Sequence, residues 1–373
     1  MGGLSKYFVE HVSKCSCNDL VHPHSCRRAM LQNLFHFVLS NMKYYLPMAL
    51  LHLVSRKLRG FHEDLLHDAS WYFTQLVSGG VLNGYLIATF ICMMRNFLGE
   101  FRYFTLVFAP SVLGGLLTAY LPKRVKNVEH TGIFQSLIES FLLQRGNFVT
   151  KLLASSLTLQ TLVFMVCSAI VLLGKERRWH NGFWFLTPEA VPPTDASNLG
   201  LYILQGMRKY LLIGLALDSF KGLLGCIKSG HWQLRQFRLE SMAWLGCYAG
   251  IYRSILCYLR GQRAINETQL RVLAAFVGGI SYLCFPKLTI LSYALLETGR
   301  TIGGKYKTDK RNRLGITDVI FPFALAYIIH TYVFYPKKIS GLGGIIIDST
   351  TANYGSNIRK RLQKLYPFFA ENS

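Results

Sequence analysis

The sequence predicts an all-α integral membrane protein with about eight transmembrane or partly spanning helices. Hydrophobic residues make up 51% of the 373 positions and charged residues only 16%, which is unusual for a soluble protein of this length. Four stretches contain no Asp, Glu, Lys or Arg: residues 69–94, 103–122, 152–174 and 319–336. Each is close to the roughly 20 residues that a helix needs to cross a bilayer. A glycine-rich helix pair also occurs twice along the chain.

A soluble protein with several buried helices is the alternative fold. Four uncharged runs of this length exceed what a soluble core of this size needs, so the bilayer is the favoured solvent. The formal net charge is +22, and the Lys and Arg residues are spread between the apolar runs. That distribution is typical of contact with phospholipid headgroups, so we expect the lipid bilayer as a partner and no nucleic acid.

Composition divides the chain into five segments. In order, these are a polar Cys- and His-rich head (residues 1–28), a first membrane half (29–174, with a repeat copy at about 76–146), a Pro- and Trp-rich loop (175–198), a second membrane half (199–336, with a repeat copy at about 242–304) and a basic C-terminal tail (337–373).

Less regular elements are expected between the clear spans. Residues 29–54 form a first span broken by Lys43 and Pro47. Residues 131–145 have an amphipathic pattern and are predicted to lie at the interface or to pack against the bundle. In the central loop, Trp184 is predicted to be an interfacial aromatic residue.

The most specific feature of the sequence is the internal repeat, whose copies are offset by about 165 residues. Each copy contains Gly-x-x-x-Gly, Cys-x-x-Arg, Gly-Gly and Pro-Lys in that order. Glycine lets two helix backbones approach closely in lipid, so each copy is predicted to be a tight helix hairpin. The predicted helix-packing residues are Gly80, Gly84, Gly114 and Gly115 in the first copy and Gly246, Gly250, Gly278 and Gly279 in the second.

Each copy also places an arginine one helical turn after a cysteine. An arginine inside a membrane is costly unless it reaches the headgroups or finds a partner, and Glu139 and Glu297 are the candidate partners within their copies. One interpretation ends each span at the headgroups. The other is a polar seam between the copies that faces a cavity. The seam residues would be Asn83, Arg95, Glu139, Arg208, Lys209, Asp218, Arg260 and Glu297.

The N-terminal head contains a cluster of metal-ligand residue types. Cys15, Cys17, His22, His24 and Cys26 offer five ligands in a short segment, and zinc takes four of this type in a tetrahedron. The spacing is irregular and lacks a Cys-x-x-Cys pair. A zinc site is therefore one hypothesis, beside a reduced Cys-rich head and a target of reversible acylation.

Motifs for common catalytic centres are missing from the sequence. Glycines at 341, 343 and 344 lie outside any βαβ pattern, no Gly-Lys-Ser/Thr loop follows a glycine run, and no Gly-x-Ser-x-Gly elbow occurs. We therefore expect a protein that is not an enzyme.

Three sequence features together resemble the transmembrane protein 135 family. They are the head ending in residues 22–27 (His-Pro-His-Ser-Cys-Arg), the paired Cys-x-x-Arg motifs at 92–95 and 257–260, and residues 275–281 (Ala-Phe-Val-Gly-Gly-Ile-Ser). The resemblance runs from the head to about residue 335. The repeat is also similar to the glycine-rich unit of mitochondrial inner-membrane translocase channels and of small peroxisomal membrane proteins.

The resemblance implies a multi-pass protein of the peroxisomal or mitochondrial membrane. By the same resemblance, its expected role is to regulate the balance of mitochondrial fission and fusion, peroxisome organisation and fatty-acid metabolism. Organelle-division machinery and a second copy of the chain are the partner hypotheses. The alternative function is a pore or carrier for lipid-related or other small solutes.

Overall fold

The computed structural model describes residues 2–58, 64–144, 146–180, 182–192, 198–229, 238–260, 266–306 and 315–371. This part of the chain is helical and contains no strand, which confirms the predicted all-α class. In chain order the helices are α1 (Gly2–His11), α2 (Cys17–Leu20), α3 (Cys26–Leu58), α4 (Leu65–Leu98), α5 (Phe108–Leu116), α6 (Lys123–Gln144), α7 (Phe148–Ser155), α8 (Leu157–Glu176), α9 (Leu199–Ser229), α10 (Glu240–Leu259), α11 (Glu267–Gly278), α12 (Leu288–Lys305), α13 (Ile316–Phe334), α14 (Gly341–Thr350), α15 (Tyr354–Leu365) and α16 (Phe368–Glu371).

The helices form two compact units. Unit 1 consists of Met1–Gln144 together with Asn312–Ser373, and unit 2 consists of Arg145–Arg311. The predicted halves follow the order of segments along the chain, whereas the units record which segments pack together. Helix α13, which ends the predicted second half, packs in unit 1 with helices of the first half.

Three helices in the described part of the chain are long and apolar enough to cross a membrane: α4, α8 and α13. Along α13, Ile316, Ile320 and Phe323 recur at helical spacing and are all exposed. An exposed stripe of large apolar side chains is stable against lipid and costly in water. The fold is therefore compatible with a membrane protein, and the expected number of about eight spans stays a prediction.

One predicted span is a shorter helix. In the uncharged stretch 103–122, helix α5 and a 3-10 turn at Leu117–Tyr120 together cover only residues 108–120. Helix α5 begins beside Pro110, which fits the first turn of a helix, and Pro122 follows the 3-10 turn, where it cannot continue the ladder of hydrogen bonds. Prolines at both ends therefore shorten the helix, although the stretch contains enough apolar residues to cross.

In unit 1 the predicted glycines lie at helix contacts. A Cβ on Gly80 would clash with Asn41 and Tyr45 of α3, and Gly84 also faces α3 and α14. A Cβ on Gly114 would lie 2.7 Å from the Ile87 side chain on α4. On Gly115 it would lie 3.0 Å from the Cα atom of Pro322 on α13. The Gly-x-x-x-Gly pair of α4 thus faces the preceding helix, and the Gly-Gly pair faces α4 and α13.

Unit 2 shows contacts of the same kind. Gly246 and Gly250 of α10 face Leu211 and Met207 of α9. A Cβ on Gly278 would lie 3.2 Å from the Tyr248 ring on α10. On Gly279 it would lie 2.6 Å from the Cα atom of Met165 on α8. Helix α8 therefore has in unit 2 the contact that α13 has in unit 1.

Two segments predicted to be peripheral contribute to the cores. The segment predicted as a basic tail forms α14 and α15, and Ile347 and Leu362 are buried in the core of unit 1. In the central loop, Trp184 is 2% exposed, and its Nε1 atom donates to the Tyr248 hydroxyl at 3.1 Å. The prediction of an interfacial Trp184 was therefore wrong, because unit 2 uses this side chain as core. Pro193 of the same loop lies outside the described residues.

Candidate metal centre

The head of the chain is shaped by local hydrogen bonds. Ser16 caps helix α2, and its side chain and backbone pair with Asp19 in a capping box, so the helix begins at Cys17. After α2 the chain turns through residues 22–25, and α3 begins at Cys26. The short helix and the turn bring Cys17, His22 and Cys26 to the same place.

A fourth ligand comes from helix α4. Cys92 is 2% exposed, and its Sγ atom lies 3.3 Å from Nε2 of His22. Arg95, one turn further along α4, donates from Nε to the carbonyl oxygen of Cys15 at 3.0 Å. The Arg95 guanidinium also lies 5.4 Å from the centre of the Phe101 ring. These contacts hold the N-terminal segment against the end of α4.

The ligand atoms of Cys17, His22, Cys26 and Cys92 all lie within 4.8 Å of one another. Tetrahedral zinc with Zn–S distances of ~2.3 Å needs thiolate ligands ~3.8 Å apart, so a small contraction of the cluster would accommodate it. Three cysteines and one histidine form a common ligand set of structural zinc sites. The four side chains could therefore hold a metal ion such as zinc.

Hydrogen bonding selects the ligand nitrogen of His22. Its Nδ1 atom lies 2.6 Å from the carbonyl oxygen of His24, which can only accept a hydrogen bond. Nδ1 therefore donates this hydrogen bond, and in the neutral ring the lone pair lies on Nε2, the atom that faces Cys92. A backbone carbonyl in this position is a frequent outer partner of metal-binding histidines.

The cysteines differ in their acidity. A hydrogen bond from Cys92 lowers the pKa of the Cys17 thiol to about 5, with a smaller contribution from His22. Burial raises the pKa of the Cys26 thiol, and the negative charge of Cys17 adds to the effect. The cluster thus supplies one thiolate readily, and a bound cation would favour the deprotonated form of the remaining thiols.

The predicted ligand set needs a correction. Cys17, His22 and Cys26 belong to the cluster, but Cys15 and His24 do not. The Cys15 thiol lies 2.9 Å from the Tyr366 hydroxyl, and His24 contributes its backbone carbonyl while its side chain is exposed. Cys15 and His24 each lie two residues from a ligand, and in a tight chain path side chains two residues apart point in different directions. These two candidates therefore face away from the cluster.

Sequence spacing could not reveal Cys92 as a ligand, because it lies 70 residues from His22. Its signal was the Cys-x-x-Arg motif, in which Arg95 positions the head. Cys257, in the matching motif of unit 2, is half-buried. Among the described residues it belongs to no cluster of ligand atoms.

The predicted seam residues of unit 1 have separate partners. The Asn83 amide donates to Oε2 of Glu129 at 2.7 Å, and Arg95 donates to Cys15. Glu139 is buried on α6. The sequence interpretation missed Glu129, because this residue belongs to none of the motifs shared by the two repeat copies.

The predicted seam residues of unit 2 are also dispersed. Glu297 is fully buried; its Oε2 atom lies 2.6 Å from Nε2 of His180, and its Oε1 atom accepts from Arg300 at 2.7 Å. These two partners occupy the carboxylate in place of Arg260. Asp218 accepts from the backbone of Met242 at 2.9 Å. The remaining members are Arg208 and Lys209, which are exposed, and Arg260, which is half-buried.

No protein-family model, curated protein or solved structure matches this chain.

Proposed function

We propose that this chain is a multi-pass organelle membrane protein whose N-terminal segment is fastened by zinc to a membrane-spanning helix. The observation that carries the proposal is the Cys17, His22, Cys26 and Cys92 cluster. Three of its ligands lie within the first 26 residues, and the fourth lies on α4, which is long and apolar enough to span. Sulfur and imidazole ligands in this ratio favour zinc over the harder cations calcium and magnesium.

The ligand count favours a structural role for the metal. Catalytic zinc sites keep one coordination position for water or substrate, whereas structural sites use four protein ligands. Four protein ligands are available here, so a bound ion would have no open coordination position, would link segments of the chain and would activate no water. This supports the proposal that the protein acts without catalysis.

The proposed cellular role rests on the resemblance to the transmembrane protein 135 family. The resemblance implies that the protein lies in the peroxisomal or mitochondrial membrane. It also implies a role in organelle division, organelle organisation and fatty-acid metabolism. The three membrane-capable helices support the membrane setting. A zinc-fastened head would give such a protein a folded surface where its N-terminal segment meets the membrane helices.

We also propose that the membrane helices arose by duplication with exchange of the last helix between copies. Gly114 and Gly278 each contact the helix that carries the Gly-x-x-x-Gly pair. Gly115 contacts α13, and Gly279 contacts α8, each at a backbone atom. In this proposal α8 follows the first copy along the chain but completes unit 2, and α13 follows the second copy but completes unit 1.

Limited proteolysis of the purified full chain tests the zinc fastening. Lys14 lies in a turn closed by a hydrogen bond from the Cys15 amide to the Val12 carbonyl. Trypsin binds extended chain, so local opening of the head by a zinc chelator should accelerate cleavage after Lys14 by about tenfold or more. Cleavage after Arg178, an exposed residue of unit 2, is the internal control and should not change. Equal cleavage after Lys14 with and without chelator would exclude the fastening.

Imaging and extraction test the proposed setting. The protein, carrying a small internal tag within residues 193–197, should resist alkaline carbonate extraction and coincide with peroxisomal or mitochondrial markers. Cells that lack it should show altered mitochondrial shape and fatty-acid oxidation. Location at the plasma membrane would contradict the organelle role, and so would unchanged mitochondrial shape and fatty-acid oxidation in cells that lack the protein. The zinc fastening is tested separately, by the proteolysis experiment.

A further inference from the structure

A carboxyl group and a carboxamide meet between two helices of unit 1. Glu129 of α6 is 8% exposed, and Asn83, near the middle of α4, is 9% exposed. Asn83 Nδ2 donates to Glu129 Oε2 at 2.7 Å. A carboxylate buried in this way needs a positive partner, since an isolated buried charge costs several kcal/mol or more.

The nearby basic groups of α6 lie beside another acid, Asp318. Lys126 Nζ lies 3.1 Å from Oδ1 of Asp318 on α13 and also donates to the Ala119 carbonyl at 3.2 Å. His130 Nε2 lies 3.8 Å from the same Asp318 oxygen. Asp318 thus attracts the two bases that lie on either side of Glu129 in the sequence.

The other packed helices supply no cation to Glu129. Helix α3 brings the phenols of Tyr44 and Tyr45 into its neighbourhood. Helix α14, which packs against α6, carries no Lys, Arg or His, and its Asp348 accepts a hydrogen bond from Tyr332. Among the described residues that face Glu129, the Asn83 amide is the hydrogen-bond donor.

The remaining oxygens of the pair are both buried and both lack a donor. Asn83 Oδ1 and Glu129 Oε1 have no hydrogen-bond partner among the described residues. The amide orientation is fixed, because only its nitrogen can donate to a carboxylate. The hydrogen bond from Asn83 Nδ2 to Oε2 already joins the two planar groups, and a proton on Oε1 would make this oxygen a donor for the unpaired Asn83 Oδ1, so one proton would satisfy both atoms.

We propose that Glu129 and Asn83 form a proton-binding site, in which protonated Glu129 donates from Oε1 to Asn83 Oδ1 while Asn83 Nδ2 donates to Oε2. The two planar groups then form a cyclic acid–amide pair with every polar atom engaged. The proton is taken from water as the pH falls and returned as it rises, and only an O–H bond is made or broken.

Burial favours the protonated form of this site. It raises the pKa of Glu129 to about 7, and the Asn83 hydrogen bond to the carboxylate opposes the rise. The site therefore exchanges its proton near neutral pH. Loss of the proton leaves an unneutralised charge between α4 and α6, so proton release loosens the contact between these helices.

Infrared difference spectroscopy of the full chain in lipid nanodiscs, recorded between pH 5 and pH 9, tests the proposal. The carbonyl stretch of a buried protonated acid should disappear with rising pH, with a midpoint near neutrality. Glu129→Gln should lack this band, and Asn83→Leu should keep it at higher frequency because its hydrogen-bond partner is lost. Glu100→Gln, at an exposed acid, is the matched control and should reproduce the wild-type band.

A band unchanged in Glu129→Gln, or absent from the wild type, would overturn the proposal. Gln carries no ionisable group and can still pair with the Asn83 amide, so this variant should fold. Zinc content measured on the same samples should be unchanged, since the cluster contains neither residue. Failure of the proton site is thereby distinguishable from failure of the zinc fastening.

Discussion

The Sγ atom of Cys92 lies 3.3 Å from Nε2 of His22, although 70 residues separate them along the chain. One of these residues lies on a membrane-capable helix and the other in the turn after a helix of four residues. The head packs Phe8, Val12 and Leu20 into the core of unit 1. A shared metal ion would add a direct link between the turn and helix α4.

Loss of one ligand should therefore destabilise unit 1. Cys92→Ser should lower the thermal unfolding midpoint of the purified protein by several degrees, because the bound metal stabilises only the folded state. Cys167→Ser, at a buried thiol of unit 2, is the control for thiol removal. Addition of a chelator should lower the midpoint of wild type and Cys167→Ser but not that of Cys92→Ser. An equal response of all three proteins would contradict the metal assignment.

The pH dependence of stability should contain a contribution from Glu129. Its pKa is raised from 4.5 to about 7, so the folded chain binds this proton more tightly than the unfolded chain. The free energy of unfolding should consequently fall by roughly 3 kcal/mol as the pH rises through that window and then level off. Thermal unfolding of Glu129→Gln should lack this slope. If stability falls with pH as steeply in Glu129→Gln as in the control Glu100→Gln, Glu129 does not titrate in this pH window.

The two Gly-Gly pairs should be intolerant of even one methyl group. Gly115→Ala and Gly279→Ala would place a Cβ 3.0 Å and 2.6 Å from backbone Cα atoms, which must move. We expect each to cost about 1–3 kcal/mol in stability. Gly303→Ala, on an exposed face of α12 with nothing within 4 Å, should instead be neutral or stabilising. Chemical unfolding monitored by tryptophan fluorescence would rank the three variants.

Unit 2 should depend on its buried acid. Glu297→Ala leaves His180 and Arg300 without their carboxylate, and we expect a loss of about 3–5 kcal/mol. Glu267→Ala removes an exposed partner of Arg271 and should cost at most about 1 kcal/mol. Similar unfolding curves for the two variants would show that the Glu297 contacts contribute little.

The sequence predicted those parts of the fold that depend on local composition. The uncharged run 319–336 coincides closely with α13, and most of the run 152–174 lies in α8, after a break at Ser156, since a long apolar run has few alternatives to a buried or lipid-facing helix. At 103–122 the length of the apolar run was a poor guide, because Pro110 in the first turn of α5 and Pro122 after the 3-10 turn limit the helical stretch whatever the hydropathy.

Contacts between segments far apart in the chain were harder to predict from the sequence. The head contained three of the four cluster residues, yet ligand types alone could not exclude Cys15 and His24 or include Cys92. Cys92 carried a signal in the Cys-x-x-Arg motif, but its role depends on how α4 packs against the head. Glu129 gave no signal, because a single acid on a helix is ordinarily a solvated surface residue.

The most direct test of the zinc fastening is the metal content of the purified full chain and four variants, measured by inductively coupled plasma mass spectrometry. We predict one zinc ion per chain in the wild type, its loss in Cys17→Ser and Cys92→Ser, and its retention in Cys15→Ser and His24→Ala. Absence of zinc from the wild type would contradict the account. Loss in Cys15→Ser or His24→Ala with retention in Cys92→Ser would show that the head binds metal without helix α4.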